Sequence, residues 1–290
     1  MIIAGMRSLL LVSMLMFALT LPIAAHPAWG IVVDRNGRVV YSDLETVWRI
    51  GADGRPTVLR PGLSGHHVHE LFLDERGNLY GEDYTYTGTR FVSTYWKMTP
   101  SGAMTPSVGP GILRDRDGNR YEVIENNHTK AETRIVKHTA SGITPFVGSR
   151  YGLRDGKGAA AQFSNIVGLA IAADGALYAT DGGAVRKIAP DGTVTTLARG
   201  LDVDRDAREP LVFGGLMGIA IGKDAVYAAD FRNRRIVRVT FAGAMQVIAR
   251  STPPYSPTGV AVAPNGDVWV LEAGYRPGAT IEPRARKLPR

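Results

Sequence analysis

Three histidines and a glutamate fall within five positions in the stretch SGHHVHELFLDERGNLYGED, at His66, His67, His69 and Glu70. Side chains of these types at this density can do three different things. They can hold a divalent cation, zinc through nitrogen and oxygen or calcium through carboxylates alone. Without a metal they can move protons, with His69 or Glu70 as the base. They can also satisfy one another in a hydrogen-bond network that has no further role. Residue type alone does not choose among these, so the choice passes to the elements that position them.

Those elements repeat. A unit of Gly, an apolar quartet, a polar turn and then an apolar–aromatic pair with an acid recurs six times; the turn ends in Gly in five copies and is the shorter Lys223-Asp224 in the fifth. It reads GIVVDRNGRVVYSD from Gly30, ELFLDERGNLYGED from Glu70 and GILRDRDGNRYEVI from Gly111. It returns as GLAIAADGALYATD from Gly168, GIAIGKDAVYAAD from Gly218 and GVAVAPNGDVWVLE from Gly259. Each of the first five units is followed by two more strand patterns around a tight Gly turn, as in VWRIGADGRPTVL and VRKIAPDGTVTTL. Four strands per unit, a, b, c and d, with spacings of blade size, predict a six-bladed β-propeller of four-stranded antiparallel blades. The last copy offers strands a and b and a c-like ARKL before the chain ends, so the final blade is expected to be incomplete, or closed by a short N-terminal segment.

Antiparallel meanders assign the faces. The a–b and c–d turns are short, so the long b–c and d–a connections, at 84–93, 125–133, 148–166 and 199–217, must emerge on the other face. Long loops on a rigid scaffold are where sites usually form, and the start of strand a reaches that face. Aligning the six strand-a starts then gives an internal comparison. Five blades carry Gly30, Gly111, Gly168, Gly218 and Gly259, as expected where strands crowd a central channel; the second carries Glu70. A carboxylate in that narrow space must be hydrated, paired or protonated.

The expected site follows from this asymmetry. Glu70 and His69 are the catalytic candidates, and His67, His69 and Glu70 the metal-ligand candidates, with Asp181 and Asp230 as supporting acids and calcium or zinc as the ion. Asp181 and Asp230 belong to a ring of strand-b ends, Asp43, Asp83, Asp181, Asp230 and Glu272, which Ile124 interrupts. Such acids also have a purely structural use, accepting backbone N–H bonds from the following turn. Tyr84, Arg90, His128 and Glu272 are the substrate-contact candidates, with Tyr86, Tyr275 and Arg276 also near the mouth; Trp48 and Trp96 recur at one strand-c position and read as packing between blades. The chemistry these residues suit is metal-assisted hydrolysis or lyase action on a small molecule. The rival is a noncatalytic module that binds a peptide, glycan or protein of the cell envelope.

Bulk properties bound the setting. Residues 1–25 have an early Arg7, an apolar run and small residues at Ala24 and Ala25, the layout of a secretory signal peptide; an uncleaved anchor is the alternative. Residues 26–290 then form one domain, secreted or periplasmic, expected to be a monomer with no transmembrane segment after cleavage. The chain has no cysteine, so no disulfide supports it. The formal charge of +7 lacks the aromatic-and-basic ribbon of a nucleic-acid surface, and nucleic acid is not an expected partner. There is no phosphate loop, dinucleotide fingerprint or nucleophile elbow.

At 148–199 the chain resembles an NHL-repeat propeller. The matching residues are Asp155-Gly156-Lys157-Gly158, Ala161, Phe163, Gly168-Leu169-Ala170, Leu177-Tyr178, Asp181, Arg186-Lys187-Ile188 and Thr195-Thr196-Leu197. Asp230 and Asn233-Arg234-Arg235-Ile236 extend the match into the next blade. The resemblance implies the six-bladed fold and says little of function. Related propellers of the gluconolactonase and luciferin-regenerating family would hold a divalent cation through a strand-a glutamate and Asn or Asp before the Gly of other blades. Here those pre-Gly positions are Trp29, Pro110, Val167, Met217 and Thr258.

Overall fold

The architecture was determined as a computed structural model and describes residues 28–51, 53–125, 132–204, 215–274 and 283–289. Six antiparallel sheets follow one another along the chain. Blade 1 comprises Ile31–Val33, Val39–Ser42, Val47–Ile50 and Pro56–Arg60. Blade 2 has a split inner strand, His66–His67 and Leu71–Leu73, then Leu79–Tyr86, Phe91–Met98 and Met104–Pro106. Blade 3 runs through Leu113–Arg114, Arg120–Glu125, Glu132–Thr139 and Gly142–Arg150. Blade 4 contains Ile166–Ile171, Leu177–Asp181, Ala184–Ile188 and Thr193–Ala198; blade 5 contains Leu216–Ile221, Ala225–Asp230, Arg235–Thr240 and Met245–Arg250. Among the described residues blade 6 has three strands, Tyr255–Val262, Val268–Gly274 and Pro283–Lys287. The incomplete final blade is therefore as the sequence predicts.

The turns explain why the repeat folds so. Gly37, Gly77, Gly118, Gly175 and Gly266 all take φ between 77° and 84°, a left-handed turn that side chains disfavour. Before them, Asp74 accepts bonds from the backbone N–H of Arg76 and Asn78 and from Tyr80 Oη, and Asp115 binds Asn119 and Tyr121 likewise. Burial is arranged between blades rather than within one centre. Leu59 of blade 1 packs on Leu79, Trp96 and Met98 of blade 2, and comparable apolar layers join blades 3–4, 4–5, 5–6 and 6–1.

One connection takes a course the sequence reading did not foresee. The long d–a segment at 148–166 does not end over the mouth. Gly156–Lys157 pairs with Thr193 and Val194 as a fifth strand on the outer edge of blade 4. Asp155 fixes it there by accepting bonds from Thr196 N and Oγ1 and from Arg186.

Candidate functional site

The inner strands crowd the axis as the glycines imply. A Cβ on Gly168 would collide with the carbonyl of Met217, and one on Gly259 with that of Trp29. They surround a cavity of about 230 Å³ lined by strand-a residues of all six blades, among them Ile31, Leu71, Ile112, Leu169, Ile219 and Val260. Among the described residues Glu70 is the one acid in this otherwise apolar lining. In the next blade the inner strand is short, Leu113–Arg114, and Gly111 before it takes φ 81°. Burial pushes the Glu70 carboxyl up to about 8, and the Glu82 carboxylate adds to the rise. At neutral pH it is mostly protonated, a donor that can also become a base.

The histidines are placed by the second strand of blade 2. That strand is eight residues long and continues beyond the propeller face, and His66–His67 pairs alongside its end, His66 opposite Thr85 and His67 opposite Tyr84. His66 Nδ1 and Thr85 Oγ1 are bonded at 2.9 Å, which accounts for His66 as a loop-fixing residue. His69 accepts through its carbonyl from the N–H groups of Trp29 and Gly30, and its ring stacks on Trp29 with centroids 5.4 Å apart. His67 and Tyr84 each meet the His69 ring edge-on at 5.8 Å. Tyr84 stacks on Phe91 at 4.7 Å, and Phe91 touches Tyr86. The result is a run of rings from Trp29, which lines the cavity, through His69 and Tyr84 to Phe91 and Tyr86, exposed by 58% and 55%.

The structure brings the rings of His67, His69 and Tyr84 together, sets Glu70, the next residue along, in the cavity lining, and leaves the other described candidates elsewhere. Asp181 is fully buried and engaged: Arg186 binds it at 2.6 Å, and Ser164 and Asn165 donate to its other oxygen. Asp230 is held by Arg235 and Asn233. Glu272 receives Arg284, Arg286 and Ser251; burial alone would raise its carboxyl, but these three hold it low. The acid ring is thus used mostly for guanidinium pairing, within blades 4, 5 and 6 and between blades 1 and 2 through Asp83 and Arg60, while Asp43 accepts from Trp48 Nε1. Among the described residues no three His, Asp or Glu side chains are grouped to hold a metal ion. The calcium or zinc set of His67, His69, Glu70, Asp181 and Asp230 is not assembled, because two of its members are spent on arginines. Arg90 is exposed at the hairpin tip, its backbone bonded to Thr87. His128, Tyr275 and Arg276 lie outside the described residues.

Sequence reasoning missed Trp29 and Phe91. Trp29 was visible only as the odd member of the pre-Gly positions, and Phe91 as an apolar residue in a predicted loop. It also missed the polar seam between blades 2 and 3. There Tyr95 Oη donates to Glu82 at 3.2 Å, His138 bonds Glu122 at 2.8 Å, and Arg114 lies over Tyr80. Burial and the Glu82 charge raise the Tyr95 hydroxyl.

No family model and no curated protein matches the chain. Solved structures do. A streptogramin B lyase shares 19% identity at a TM-score of 0.52, over 91% of this chain and 84% of that one. The PQQ-bound aldose sugar dehydrogenase of Streptomyces coelicolor shares 17% at 0.57, over 90% and 94%. A gluconolactonase of Xanthomonas campestris shares 13% at 0.54, over 86% and 84%. At these identities the likeness bears on architecture, and the chain is a six-bladed β-propeller.

Proposed function

We propose that the blade-2 mouth binds a small molecule through a flat ring and acts on it by general acid–base chemistry, with Glu70 as the proton-transferring group. The observation that carries this reading is a carboxyl, the one acid among the described residues lining an apolar channel, next in sequence to His69 in a continuous run of aromatic rings. Ring faces such as Tyr84 and Phe91 hold sugars and aromatics by dispersion and polarised C–H contacts. A carboxyl poised near neutrality can donate to a leaving group or withdraw a proton from an acidic carbon. His69, fixed against Trp29, is the second polar group within reach of a ligand lying on that run. The similar lyase, gluconolactonase and sugar dehydrogenase support an enzyme role, and suggest streptogramins, gluconolactones and aldose sugars as the first compounds to try.

The test is a panel of those three classes, followed by tryptophan fluorescence for binding and by product analysis for turnover. Glu70→Gln is expected to keep binding and lose turnover by a factor of 10² or more, while Phe91→Ala loses binding. Turnover unchanged in Glu70→Gln would remove Glu70 from the chemistry. The exposed Tyr86 and Phe91 favour a second reading, a noncatalytic module that captures an envelope ligand, which the same panel separates by binding without product. Both readings suit a monomer exported through cleavage after Ala25, checked by N-terminal sequencing of the mature chain.

A further inference from the structure

Four seams of the propeller share one device. The outer strand of one blade lays apolar side chains on the next: Leu59 on blade 2, Phe146 and Val147 on blade 4, Leu197 and Ala198 on blade 5, Ile248 and Ala249 on blade 6. The seams from blade 2 to blade 3 and from blade 6 to blade 1 show no such layer, and in blade 6 the described strands number three. Internal comparison shows what this leaves open. Trp96 and Met98 of blade 2 lie beneath the outer strand of blade 1 and are 5% and 6% exposed. Trp48 and Ile50, at the same strand-c positions of blade 1, are only partly buried, as is Ala285 beside them. Next to this apolar strip, no described strand pairs with the outer edge of Pro283–Lys287.

We propose that the outer edge of blade 6, with which no described strand pairs, receives an extended segment of a partner protein, with alternating apolar and acidic side chains, as its fourth strand. Backbone groups along an unpaired edge give such a strand its hydrogen bonds, and alternation sends every second side chain to one face. The apolar side chains cover Trp48 and Ile50. The acidic ones answer the edge itself, where Arg284, Arg286 and Lys287 outnumber the carboxylates they touch, Glu272 and Asp267, on a chain of formal charge +7. Charge selects this occupant over a second copy, because two such edges side by side would oppose cations.

The probe is a short peptide of alternating valine and glutamate, titrated against the full chain, with its valine–lysine analogue as control. Saturable binding with a blue shift of tryptophan emission is expected for the glutamate peptide, weakening with salt, and roughly tenfold poorer binding for the lysine peptide. A second variant appends a turn and a copy of Met245–Arg250 after Arg290, filling the edge in cis; it should melt higher and no longer take the peptide. The proposal falls if the glutamate peptide fails to bind, if both peptides bind alike, or if the filled variant binds as well as the parent. A concentration-dependent dimer that the peptide does not dissociate would give the edge to a second copy and overturn it too.

Discussion

Blades 4 and 2 share one strand pattern but use their acids differently. In blade 4 the inner strand begins with Gly168, and Asp181 at the end of the second strand is enclosed by Arg186, Ser164 and Asn165. In blade 2 the corresponding acid, Asp83, is paired with Arg60, but the inner strand also presents Glu70 with no cation beside it in the cavity lining. A buried carboxylate with a guanidinium stays charged and holds strands together. One without a cation takes up a proton and becomes available to something else. The difference between structural and chemical acids here is the neighbour, not the residue type.

The largest expected effect breaks the structural half of that comparison. Asp181→Ala leaves Arg186 buried without its main partner and should cost about 3–5 kcal/mol in denaturant unfolding. Next comes the strand start: Gly168→Ala drives a Cβ into the Met217 carbonyl and should cost about 2–3 kcal/mol, whereas Glu70→Ala at the aligned position is tolerated. Equal losses at the two positions would mean blade 2 is no roomier than blade 4.

Glu70 sharpens the contrast through pH. Its folded carboxyl sits near 8 against an ordinary value of 4.5, so the folded chain binds this proton more tightly than the unfolded one. Below about pH 4.5 both forms are protonated and nothing is lost. Between 4.5 and 8 the unfolded form gains stability by ionising, and the folded chain loses up to roughly 5 kcal/mol. Glu70→Gln should flatten this part of the melting-temperature profile and leave the variant more stable than the parent at pH 8; parallel profiles would place the carboxyl in contact with bulk water. The smallest expected effect on stability is Phe91→Ala, within about 0.5 kcal/mol because the ring is exposed, while ligand binding at the mouth falls.

Much of the fold was readable because its signals are local. Turn glycines encode five of the six a–b turns within a few residues, with Asp34, Asp74 and Asp115 before them in the first three, and the repetition gave the blade count. The Glu70 asymmetry was readable for the same reason, as a departure from a pattern. What could not be read depends on partners distant in sequence. Nothing near Asp83 announces Arg60 of the preceding blade, and nothing in 148–166 says that Asp155 will fasten its strand to Thr196 rather than cover the mouth. The packing of His69 between Trp29, face to face, and Tyr84, edge-on, joins three segments whose spacing carries no periodic signal.

The contact of Gly259 with the Trp29 carbonyl has a kinetic side. It joins the first described strand to the last blade, so the circle shuts only when nearly the whole chain has been laid down. Contacts between such remote residues carry the largest chain-entropy cost and slow the route to the native state. Until that step, the face of blade 1 bearing Ile31, Val39 and Tyr41 has no partner from Ala261 and Leu271. During synthesis this waiting surface is where the nascent protein is most open to wrong association.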